Sequence, residues 1–67
     1  MDIHIFIGAD ADLLGLYMAC LRNKVPAQVT GVSAAGQAMN VFGTITAVEL
    51  GHTGPPRHPV RITARTG

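Results

Sequence analysis

The first seven residues alternate. In DIHIFI, residues 2–7, Ile3, Ile5 and Ile7 share one face, and Asp2, His4 and Phe6 share the other. A period of two with β-branched side chains predicts a strand. Phe6 on the polar face implies that both sides are partly covered. Gly8 breaks the pattern, and Asp10 then offers an N-cap with Asp12 in the first turn, where the helix dipole favours a carboxylate. A helix is predicted over residues 11–24. Arg22 and Lys24 occupy its last turn and Pro26 stops it.

After the helix, strands are predicted over 27–35 and 38–50, joined by a tight turn centred on Gly36 and Gln37. Glycine at the first central position suits a type II′ hairpin. That register sets Val32 opposite Val41. One face collects Val32, Ala34, Met39, Val41 and Ile45, and the other Val29, Phe42, Val48 and Leu50. A short helix over 34–40, capped by Ser33, competes with the turn, but Gly36 in its middle argues against it. Gly31 and Gly43 mark bulges or a close backbone approach. GHTGPPRH, residues 51–58, is a loop by composition. A last strand over 59–65 points Val60, Ile62 and Ala64 inward and Arg61, Thr63 and Arg65 outward, and pairs with residues 40–50. The expected fold is a single α+β domain of order β-α-β-β-β, one helix on a mostly antiparallel sheet of three to four strands.

On a helical wheel, Leu13, Leu14, Leu16, Tyr17, Met18, Cys20 and Leu21 fill an arc of roughly 200°, about twice the stripe an ordinary surface helix buries. Leu13, Leu16, Tyr17 and Leu21 are expected in the core, with Leu16 or Met18 left at an edge. The remaining side carries Ala11, Gly15 and Ala19, spaced by four, which would let another backbone approach closely. The uncharged run from Leu13 to Leu21 is far shorter than the ~20 apolar residues of a membrane span.

Composition sharpens this picture. A chain of 67 residues is marginal alone and normally needs a staple. A single cysteine, Cys20, excludes an internal disulfide, and three histidines without paired spacing give no metal site. A partner chain remains. Charged residues make up 13% of the sequence, about half the usual ~25%, while 48% are apolar. That surplus implies an interface, and homo-oligomerisation is expected, with contacts through Ala11, Gly15, Ala19, Leu16, Met18 and Phe42. The net charge of +1 favours neither membrane nor nucleic acid. Its distribution is uneven: residues 1–12 hold three aspartates and no cation, and residues 57–65 hold three arginines and no acid. No targeting signal is visible, so a cytoplasmic location is expected.

No residues stand out as catalytic. Cys20 lies in the apolar arc, the place of an inert thiol. His4 reads as a surface or interfacial histidine. The carboxylates of Asp10 and Asp12 are explained by capping. The glycine and aspartates of residues 8–12 lack the repeated glycines and lysine of a phosphate loop. Glu49 and His52 flank a strand end, a position that suits an acid–base pair, and they mark a weaker alternative: a small-ligand enzyme or carrier with its site at a subunit interface. Arg57, His58, Arg61 and Arg65 form a candidate face for an acidic protein or a nucleic-acid backbone, although no aromatics interleave for base stacking. The leading expectation is a non-enzymatic, cofactor-free interaction module: a homo-oligomer that binds a protein partner. Such small proteins serve as regulators, inhibitors or accessory factors, including ones carried by phages or mobile elements. Nucleic-acid binding through the arginine face is the alternative.

Overall fold

The computed structural model describes residues 1–67 and has the order β1 (Asp2–Ile7), α1 (Ala11–Asn23), β2 (Pro26–Val32), β3 (Ala38–Leu50) and β4 (Val60–Arg65). All strand pairs are antiparallel, and the sheet closes into a barrel. The long β3 is shared: residues 38–44 pair with β2, and residues 44–50 pair with β4. β1 lies on the far side of β4 and meets β2 at one pair, Phe6 with Val32. A four-stranded sheet can close this way only if it is strongly coiled. The small α+β fold agrees with the patterning, whereas closure of the sheet is additional to it.

The helix has the expected ends. Asp10 Oδ1 accepts from the backbone N–H groups of Asp12 and Leu13 at 3.0 and 3.1 Å. Lys24 adopts the left-handed conformation at φ 56°, and its N–H bonds back to Cys20 and Leu21. The left-handed residue therefore ends the helix before Pro26, which begins β2 instead.

The core gathers Ile5, Ile7, Tyr17, Val29, Ile45, Val60, Ile62 and Ala64. The inward positions of β1 and β4 are those read from alternation. Two corrections apply to β2 and β3. The connecting loop is longer than a two-residue turn. Ser33 N–H donates to Gln37 O at 2.8 Å around Ala34, Ala35 and Gly36, with Gly36 at φ 81°. Ser33 Oγ accepts from the N–H groups of Ala35 and Gln37. This is a three-residue loop ending in a left-handed glycine. It closes one turn of chain where the competing reading placed a helix, so neither the two-residue turn nor that helix forms. β2 ends at Val32, and Val41 faces Val29 rather than Val32. A shift by an odd number of residues exchanges the faces of β2, and Val29 becomes fully buried. Second, a bulge between Ile45 and Ala47 reverses the alternation. Val48 now packs on the core side opposite Ile62, leaving Phe42 exposed on the outer face.

Gly31 and Gly43 are close-approach positions. A Cβ on Gly31 would strike the carbonyl oxygen of Phe6 and lie 2.7–2.8 Å from methyl carbons of Ile5 and Ile7. A Cβ on Gly43 would lie 2.6 Å from the carbonyl oxygen of Arg65. The first sits where β2 meets β1, and the second where β3 crosses the end of β4. Both seams depend on the missing side chain.

The helix packs on the core through Tyr17, with Leu14, Cys20 and Leu21 beside it. Leu13 is 38% exposed, which corrects its expected place in the core, and Leu16, at 55%, lies at the exposed edge rather than in the core. A narrow, coiled sheet covers a narrower stripe than the helix offers.

Candidate functional site

Five of the six residues expected at an oligomer contact lie on the outward side of α1. Ala11, Gly15, Leu16 and Met18 are exposed and Ala19 is half-buried. Nothing lies within 4 Å of the position a Gly15 Cβ would take. Leu16 and Met18 flank the groove that the small residues make. Asp12 and Arg22, also exposed, lie on this side near opposite ends of the helix, and neither has an ion-pair partner within the chain. The sixth residue, Phe42, is separate. The helix packs on the core side of the sheet, and Phe42 is 64% exposed on the outer face. Around it are Gln28 and Asn40, whose side chains are bonded at 2.6 Å, with Thr30 alongside. The fold therefore carries two apolar surfaces.

The arginine face is largely neutralised. Arg61 Nη2 meets Glu49 Oε1 at 2.6 Å, and Arg65 Nε meets Asp2 Oδ1 at 3.1 Å. Both pairs are direct cross-strand neighbours on the outer face. The opposite charge at the two ends of the chain thus matches the pairing of β1 with β4. Between them, His4 Nδ1 and Thr63 Oγ1 are 3.0 Å apart. Arg57 is exposed and has no ion-pair partner.

Glu49 and His52 do not form an acid–base pair. The Glu49 carboxylate is taken by Arg61, and the His52 ring lies against Phe6 with centroids 4.7 Å apart and planes at 49°. That contact explains the burial of Phe6 on the polar face of β1. His52 is held there by its backbone N–H, which donates to Pro59 O at 2.9 Å across the base of the loop. The loop lines a shallow, open cleft of about 440 Å³ formed by His52, Thr53, Gly54, Pro55, Arg57 and Pro59. His52 Nε2 and His58 Nδ1 are shielded from water and have no hydrogen-bond partner. Sequence reasoning marked His52 and Arg57 but assigned them to different sites. No local pattern announces that a turn-rich segment folds back over β1. Cys20 is half-buried against the core. No group of three or more His, Cys, Asp or Glu side chains converges anywhere in the fold, and no helix is long and apolar enough to cross a membrane. Comparison with protein-family models, curated proteins and solved structures finds no match.

Proposed function

We propose that this chain is a small non-enzymatic interaction module that self-associates through α1 and binds a protein partner elsewhere. The observation that carries this reading is the unoccupied helix side, where Gly15 sits in open space between exposed Leu16 and Met18. Glycine inside a helix costs ~1 kcal/mol relative to alanine. No contact within the chain offsets that cost.

A second copy is the occupant that fits. A two-fold axis beside the helix pairs each residue with a partner such that their numbers have a constant sum. When Asp12 faces Arg22 of the second copy, the sum is 34. The same operation sets Gly15 against Ala19, while the Leu16 edges of the two copies lie on one side of the contact and the Met18 edges on the other. One antiparallel arrangement thus satisfies two unpaired charges and places both large apolar side chains beside the small-residue groove. The low charge content of the chain supports the same reading.

The outer face around Phe42 is the proposed protein-binding surface. One large apolar side chain ringed by Gln28, Thr30 and Asn40 resembles an interface core with a polar rim. The ion pairs at Arg61 and Arg65 weigh against a nucleic-acid backbone as the ligand of that strand face.

Charge exchange tests the self-association. Asp12→Arg or Arg22→Asp alone should weaken it, and the double exchange should restore it, as read by sedimentation velocity. Equal association of all four proteins would reject the helix pairing. Phe42→Ser should leave association unchanged.

A further inference from the structure

We propose that the β3–β4 loop, residues 51–59, is a binding site for a small oxyanion, with inorganic phosphate or a terminal phosphomonoester as the ligand class. Three independent features converge there. The cleft is about 440 Å³, ample for such a group, and none of its six lining residues is acidic or large and apolar. It contains Arg57, whose guanidinium has no carboxylate partner, while the arginines of the neighbouring strand do. Arginine offers a planar fork of donors suited to phosphate oxygens.

The third feature is the pair of unmet ring nitrogens. His52 Nε2 and His58 Nδ1 are the two buried side-chain polar atoms of the fold that have no partner, and both belong to this loop. Each such atom costs about 1–3 kcal/mol relative to a bonded one, so the loop is stabilised by whatever supplies partners to it, and a nitrogen that carries its proton needs an acceptor. Imidazole N–H groups donate, and phosphate oxygens accept. His52 lines the cleft, with its ring tilted against Phe6. Thr53 adds a hydroxyl on the same wall. The anion would therefore be held at the cleft wall by the Arg57 guanidinium and the Thr53 hydroxyl, with an imidazole N–H joining them once the loop adjusts to bring the shielded His52 Nε2 to the cleft.

The test is an NMR titration of the histidine ring protons with inorganic phosphate at neutral pH and constant ionic strength, chloride being the exchanged ion. His4, bonded to Thr63 on the sheet, is the internal control. Saturable shifts of His52 and His58, with His4 unmoved and a midpoint on the order of millimolar, are expected. Arg57→Ala should weaken binding about tenfold, the loss of one charge-assisted contact. Lys24→Asn, which removes an exposed cation outside the loop and suits the left-handed backbone there, should leave it unchanged. Because Arg57 is exposed and unpaired, its replacement should not disturb folding, which an unmoved His4 signal verifies. Shifts that never saturate, or that are equal at all three histidines, overturn the proposal. So does an Arg57→Ala protein that binds as the parent does. An oligonucleotide lacking terminal phosphates that moves these rings when inorganic phosphate does not would overturn it in favour of a nucleic-acid backbone.

Discussion

Two kinds of glycine divide this molecule. At Gly31 and Gly43 there is no space for a side chain, because backbone from a neighbouring strand lies against the Cα. At Gly15 there is nothing but space. The first pair is explained within the chain, since the coiled sheet cannot close around even one methyl group at its seams. Gly15 has no such explanation. It weakens the helix, fills no tight contact and adopts no left-handed turn. The physical reason for a residue can lie inside or outside the folded chain, and the distance to its neighbours separates the two cases.

The contrast can be broken by substitution. Gly31→Ala should cause the largest loss, ~3 kcal/mol or more, because the added carbon meets a carbonyl and two isoleucine side chains at once. A protein of this size has about 3–10 kcal/mol in total, so urea denaturation should show a folded fraction sharply reduced or absent. Gly43→Ala should follow at about 2 kcal/mol, since it meets chiefly one carbonyl near the chain end. Asp10→Ala removes the acceptor for two helix N–H groups and should cost ~1 kcal/mol by the same measurement. Gly15→Ala should change sign, raising the stability of the isolated chain by up to ~1 kcal/mol. A loss at Gly15 as large as that at Gly31 would erase the distinction. Glu49→Gln should be the smallest change, within ~0.5 kcal/mol, because both partners of its ion pair are substantially exposed.

The element order was legible because each signal is local. Alternation in residues 2–7 and 60–65, the Asp10 cap and the apolar arc around Tyr17 need no knowledge of distant chain. The hairpin register was not legible, since Gly36 suits both a two-residue loop and the last place of a three-residue loop. The Ser33 hydroxyl, bonded to two N–H groups, decides between them. One misplaced turn exchanged the faces of β2, and the bulge at Thr46 moved Val48 and Leu50 away from Phe42's face. Barrel closure depends on β1 meeting β4, a pairing of opposite chain ends. Its trace in the sequence was the charge asymmetry, now visible as the Asp2–Arg65 pair. Of the candidate site residues, those on α1 were brought onto one side by helical spacing alone. Those of the loop were not, because the fold of a turn-rich segment over Phe6 leaves no periodic signal.

The central claim is that the open side of α1 is a contact between copies. Sedimentation velocity on the parent and on Gly15→Leu at matched micromolar concentration tests it most directly. Self-association should be present in the parent and abolished by the leucine, while denaturation at low concentration shows the leucine chain at least as stable as the parent. A parent that sediments as a monomer, or a Gly15→Leu protein that associates as the parent does, would contradict the account.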